Sequence, residues 1–150
     1  MYGVCRRYVK HPSDAEEILV TGLYKAMTKI DKYSGKGSFE GWIRKIMVNE
    51  CLMFLRSRHN FHESVELKEG DLKTEVTIEA ELAAADLKAL LATLPTGYRT
   101  VFNLYVIEGY KHREIAEMLG VSINTSKSQL ILAKQKLRDL ILENKYHDVG

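Results

Sequence analysis

The chain has 150 residues, 45% hydrophobic and 28% charged, enough apolar mass to bury a core as one domain or as two small ones. It holds no run of about eighteen apolar residues and does not open on a basic-then-apolar signal, so neither a membrane span nor a secretion signal is expected and the address read from sequence is cytoplasmic. The net charge of +2 is unevenly spread: eleven basic against six acidic side chains over residues 1–58, two against six over 59–80, and nine against eight over 81–150.

The opening "MYGVCRRYVKHP" is helical in pattern up to Val9, with Pro12 as its stop. Ser13 followed by Glu16 is a capping-box signature, and Ala15, Ile18, Leu19, Gly22, Leu23, Ala26 and Ile30 then recur at helical spacing, which predicts a helix from about 14 to 30. Its opposite face carries Glu17, Val20, Tyr24 and Met27, three of them apolar. Such a face needs a cover, either another helix or a partner. "YSGKGS", with Gly35 and Gly37, breaks the pattern, and Phe39, Trp42, Ile43, Ile46, Met47 and Leu55 set a second long helix to roughly Arg58. Cys5 and Cys51 sit inside these apolar patterns and read as core thiols rather than a disulfide or ligand pair. With no Cys/His cluster, neither a metal nor another cofactor is expected.

From His59 to about Thr77 the periodicity fails and acids dominate, so residues 59–77 read as a flexible acidic linker between a domain at 1–58 and a second at 78–150. The second domain opens with a helix from about Ile78 to Thr93, breaks at "LPTG", continues from about Tyr98 to Ile107, and breaks again at "EGY". In "HREIAEMLGVSINTS", Ile115, Ala116 and Leu119 line one face, Gly120 permits the left-handed backbone that closes a short helix, and Ser122 can cap the next. That is the grammar of a helix-turn-helix, whose second helix enters the major groove. The fold class is therefore all-α, two small helical domains with the second a helix-turn-helix domain; a generic helical hairpin is the plainer alternative.

Stepping 100° per residue along the last helix places Ser126, Leu130, Ala133 and Leu137 inward. Asn124, Thr125, Ser128, Ile131, Leu132 and Gln135 point outward, flanked by Lys127, Lys134 and Arg138. Short polar side chains reach base edges or phosphates, the cations neutralise the DNA backbone, and an exposed Ile131–Leu132 pair suits thymine methyl groups. Packing of that pair on another helix or on an inhibitory protein is the competing expectation.

"GYKHREIAEMLGVSINTSKSQLILAKQKLR" resembles region four of the extracytoplasmic-function sigma factors of bacterial RNA polymerase, and "SDAEEILVTGLYKAMTKIDKYSGKGSFEGWIRKIMVNECLMFLR" resembles their region two. The two stretches lie in the family's order on either side of a variable linker. The resemblance implies that Lys127, Ser128 and Ile131 face the upstream, minus-thirty-five promoter element, joined by Asn124, Thr125 and Lys134 from the outward face. Leu132 departs from the family pattern, in which Arg is common, and so removes a bidentate contact. Region two in the family docks on the polymerase clamp and opens the minus-ten element by capturing an unstacked base, work that calls for cations, aromatic surfaces and a closing loop. "KIDKYSGKGSFEGWIRK" offers Lys29, Lys32, Lys36, Arg44 and Lys45 interleaved with Tyr33, Phe39 and Trp42, and Asn49 matches a family position near the same strand. Trp42 is expected mainly in the core. Glu17, Val20, Thr21 and Tyr24 are the implied clamp-binding positions, although the family often has a Gln-acid pair where this chain has Val20-Thr21.

Relatives have roughly one more helix before "MYGVCRRYVK", so either the sequence is a truncated fragment or the first domain is incomplete, and if the helix is truly absent the domain is expected to be loosely packed. The resemblance also implies core RNA polymerase, duplex and opened promoter DNA, and an anti-sigma factor as partners, and a role in transcription initiation and its regulation. Two other readings are a stand-alone helix-turn-helix regulator, which would not need the Tyr33–Asn49 segment, and a truncated sigma-like decoy that binds protein. Catalysis is not expected, because no paired carboxylates, nucleophile-base set or phosphate loop occurs at sensible spacing.

Overall fold

The computed structural model describes residues 1–58 and 84–147; the expected linker and the first turns of the helix expected from Ile78 lie outside the described residues. No strand occurs among the described residues, and the chain divides into two compact units, Met1–His59 and Asn60–Gly150. The fold class is all-α, as the helical periodicity requires.

In the first unit α1 (Tyr2–Tyr8) and α2 (Pro12–Thr28) pack with α3 (Phe39–Arg56). Pro12 both ends the approach from α1 and starts α2, standing in the first turn with His11 as N-cap. Ser13 therefore makes no cap, contrary to the capping-box expectation: proline's fixed φ suits the first helical position and its missing N–H costs nothing there. α2 turns Ala15, Ile18, Gly22 and Ala26 inward and stops at Thr28, while Ile30 falls in a short 3-10 turn (Ile30–Lys32) and is exposed, as is Leu23, both expected inside. A Cβ on Gly22 would lie 2.4 Å from the Met47 sulfur, so the missing side chain is what lets α2 and α3 approach. Above this contact Lys25 Nζ meets Glu50 Oε1 at 2.6 Å, pairing an otherwise buried carboxylate.

α3 starts where Ser38 Oγ accepts the Gly41 N–H at 2.9 Å. Its inner face of Met47, Val48, Cys51, Leu52 and Leu55 closes on Val4, Cys5 and Tyr8 of α1. Cys5 and Cys51 are buried and free, and they meet: a hydrogen bond to Cys5, followed by burial, pushes the Cys51 thiol up from its ordinary value. Such thiols pack as small apolar groups.

The second unit holds α4 (Ala84–Thr93), α5 (Thr96–Phe102), α6 (His112–Leu119) and α7 (Ile123–His147). α5 starts two residues before the expected Tyr98, because the Pro95 carbonyl already accepts the Arg99 N–H at 3.0 Å. It runs on into one π turn, Asn103–Ile107, closed by Glu108 N–H to Asn103 O at 2.9 Å. Arg99 is buried, burial lowers its pKa, and its guanidinium donates to the carbonyls of Ala92 and Leu94 at 3.4 and 3.5 Å, closing the end of α4. Leu94, Leu104, Ile115, Leu119, Ala133 and Leu137 are essentially inaccessible and form the core.

Candidate nucleic-acid interface

In the second unit, α6 and α7 meet across a three-residue turn. Gly120 takes φ 68° and ψ 36°, the left-handed conformation that costs a Cβ-bearing residue most and glycine least. Ser122 Oγ then accepts the Thr125 N–H at 3.0 Å and starts α7. At the other end of α6 the Glu114 carboxylate accepts the Lys111 N–H at 2.7 Å. These contacts fix both ends of the short helix and hence the direction of the long one.

The expected inward residues of α7, Ser126, Leu130, Ala133 and Leu137, are all buried. Gln129 is buried with them, which its amide would not suggest from sequence. On the outer side Asn124 and Lys127 are exposed and Ser128 and Lys134 half-buried; Asn124, Ser128 and Ile131 follow one another at steps of four and three, and Lys127, Ile131 and Lys134 do the same, so all five share one side of the helix. The Thr125 hydroxyl lies 2.9 Å from Ser122 Oγ, so it is engaged in the cap. Ile131 and Leu132 are half-buried rather than an exposed pair, since α7 packs along both α5 and α6 and its core stripe is wider than four residues. Their outer atoms alone are open to a ligand.

One contact had no signal in the sequence. His112 Nδ1 lies 2.9 Å from Ser126 Oγ, tying α6 to α7, and its ring stacks on Tyr105 with centroids 4.4 Å apart and planes 20° from parallel. Burial and then the charges of Lys127 and Lys134 lower the His112 pKa from its ordinary value.

The first unit carries a different kind of surface. Gly35 and Gly37 adopt φ of 73° and 78°, and the loop between α2 and α3 is braced by Tyr33 O–H donating to the Gly37 carbonyl at 2.8 Å. Tyr33, Phe39 and Trp42 form one aromatic cluster, with centroids 5.2 Å apart for Tyr33–Phe39, 5.6 Å for Tyr33–Trp42 and 5.7 Å for the stacked Phe39–Trp42 pair. Phe39 is 43% exposed and Trp42 is half-buried, so Trp42 belongs to this surface cluster rather than mainly to the core. The cluster sits at the start of α3, where the helix leaves the domain interior, and that is why the rings stay partly in water. Lys32, Lys36, Lys45 and Asn49 are exposed, and Trp42, Lys45 and Asn49 follow one another along one face of α3. The outer face of α2 is apolar and open: Val20, Tyr24 and Met27 are 67%, 67% and 75% exposed, with Glu17 and Thr21 exposed beside them.

The model of sigma-70 region 2 matches residues 1–61, and that of sigma-70 region 4 matches residues 84–137. RNA polymerase sigma factor SigV of Bacillus subtilis is 30% identical over 142 residues, covering 91% of this chain and 81% of that protein. The chain belongs to the extracytoplasmic-function sigma factors of bacterial RNA polymerase. It is also 27% identical to the ECF RNA polymerase sigma factor SigE of Mycolicibacterium smegmatis, covering 96% of this chain but 58% of that longer protein. Among solved structures, the sigma factor RpoE in complex with the anti-sigma factor NepR from Bartonella quintana matches with a TM-score of 0.58 at 22% identity, over 93% of this chain and 88% of that one. This likeness speaks for the fold. The aromatic loop thus lies in a sigma region two and the helix-turn-helix in a sigma region four. Among the described residues, no helix is long and apolar enough to cross a membrane, and no three His, Cys, Asp or Glu side chains gather as metal ligands.

Proposed function

We propose that this sigma factor directs promoter recognition by two separate chemistries, duplex reading by region four and strand capture by region two. In region four, Asn124, Ser128 and the outer atoms of Ile131 meet base edges, and Lys127 and Lys134 meet phosphates; Thr125, held in the cap, positions the start of the helix. In region two, Tyr33, Phe39 and Trp42 provide stacking surfaces for an unpaired base, and Lys32, Lys36, Lys45 and Asn49 follow the backbone of the opened strand. The segment at 59–77 tethers the two regions. Val20, Thr21, Tyr24 and Glu17 dock on core polymerase, where burial of an exposed apolar face supplies the driving force.

The observation that carries this reading is the partly exposed aromatic cluster beside a glycine loop, on the same chain as a helix-turn-helix. A stand-alone duplex-binding regulator has no use for the cluster. The chain itself performs no covalent chemistry in this account, since polymerase makes the RNA, and it works in the cytoplasm where polymerase and promoters are. The outer faces of α2 and α7 also suit capture by an anti-sigma protein.

A pull-down with bacterial core polymerase tests the docking half, using the wild-type chain and Tyr24→Asp. Retention of the wild type and loss of the variant is the expected result; a chain that binds duplex DNA but ignores polymerase would overturn it in favour of the regulator reading.

A further inference from the structure

The His112 contact does more than join two helices. The ring is held on three sides by fixed groups: Ser126 Oγ at 2.9 Å, the Tyr105 ring at 4.4 Å, and the backbone of its own helix. Ser126 is fully buried, so the serine cannot leave to follow a mobile ring. It stands directly before Lys127 and Ser128, so the His112–Ser126 bond sets how the start of α7 presents those residues.

A serine hydroxyl both donates and accepts. With Nδ1 bare, Ser126 O–H donates to it; with the ring protonated, Nδ1–H donates to Ser126 Oγ. The bond therefore survives a change of charge, and the stacked Tyr105 face tolerates a cation. The surrounding elements carry Lys127 and Lys134 on α7, with Lys136, Arg138 and Asp139 further along it, Arg113, Glu114 and Glu117 on α6 with Lys111 at its start, Glu108 before it, and the buried Arg99 on α5; of these, Lys127 and Lys134 act on the ring by charge. The Glu114 carboxylate accepts a backbone N–H, and these two lysines act on the ring by repulsion. Those same lysines are assigned to DNA phosphates above.

We propose that His112 is a positioning residue that takes up a proton when region four binds duplex DNA. Phosphates neutralise Lys127 and Lys134, the repulsion on the ring turns into attraction, and the imidazolium Nδ1–H then donates to Ser126 Oγ. No bond is made or broken other than the proton's, which comes from solvent. Duplex affinity then strengthens as pH falls, by at most about tenfold per pH unit for one linked proton. The inference rests on the duplex-reading role of region four.

The test measures affinity of the full chain for a duplex of about 20 base pairs, selected from a random pool, at about pH 7.5 and about pH 6, alongside an NMR titration of the His112 ring in the free and bound chain. The expected result is about three- to tenfold tighter binding at the lower pH, a His112 pKa that rises on adding duplex, and loss of the pH effect in His112→Asn, which keeps a polar partner for Ser126. His11, His59, His62 and His147 remain in that variant and serve as the internal control. A bound-state pKa no higher than the free one, or a pH effect unchanged in His112→Asn, would overturn the proposal while leaving duplex reading intact. Absence of duplex binding at both pH values would overturn duplex reading and the proposal together.

Discussion

Phe39→Ala separates the two uses of an aromatic ring, packing and base stacking. A fully buried Phe→Ala change costs about 3–5 kcal/mol. Phe39 is 43% exposed, however, and so contributes roughly half as much. The expected stability loss is about 2 kcal/mol, which leaves a domain of ordinary stability folded. Stacking of an unpaired base on an aromatic side chain is worth about 1–3 kcal/mol, so strand opening should fall by about 5- to 150-fold at a temperature where the variant is still native. Thermal melting gives the first quantity, and permanganate reactivity of promoter thymines in the presence of core polymerase gives the second. Binding of the upstream duplex should not change, because region four is untouched. A folded variant that opens promoters as well as the wild type would refute the stacking role, and a variant whose opening defect vanishes whenever it is fully folded would reduce Phe39 to a packing residue.

Ser128→Ala or Ile131→Ala should change preference at particular upstream base pairs by about 1–3 kcal/mol, read from selected pools; equal loss on all sequences would remove the residue from the base-reading set. Lys134→Ala should weaken binding to every duplex alike and reduce the slope of log affinity against log salt by about 0.9, and an unchanged slope would take Lys134 off the phosphates. Tyr24→Asp, at a side chain 67% exposed, should leave the melting temperature within a degree or two while weakening polymerase association, as competition against the wild type would show; a large fall in melting temperature would mean that the α2 face is covered within the chain. The stability of region four should fall as pH drops below about 6.5, the ordinary His value, because the folded His112 binds its proton more weakly than the unfolded chain does. The loss should be complete once pH passes below the lowered folded pKa and absent in His112→Asn, as melts across that range would show.

Much of the helical frame was legible because its signals are local. The spacing of Met47 and Leu55 predicted α3, and Gly120 with Ser122 predicted the turn between α6 and α7, each through a backbone preference that neighbours do not override. Ser13 failed because proline one residue earlier claims the same turn. The π turn after Phe102 and the burial of Gln129 depend on what α7 presents to α5, and no periodicity within either segment reports that. The outward face of α7 was drawn too generously, since a helix gripped by two neighbours buries more than one stripe, and Ile131 and Leu132 lie at its margins. Likewise, Cys5 and Cys51 are separated by most of the first domain in sequence yet touch in its core, and His112 reaches Ser126 across the turn. Contacts of that kind follow from how helices are placed, which spacing along one helix does not encode. The aromatic cluster was half legible: its members were identified, but the surface position of Trp42 depends on the loop through Gly35 and Gly37.

The central claim is that one chain both directs polymerase to a duplex element and captures the opened strand. The most direct test is a permanganate footprint on a promoter selected from a random pool, with core polymerase alone, with polymerase plus this chain, and with the chain alone. The account predicts reactive thymines, downstream of a protected duplex element, only when chain and polymerase are both present. Protection of the duplex by the chain alone, with no opening on adding polymerase, would contradict it and leave a stand-alone duplex-binding protein.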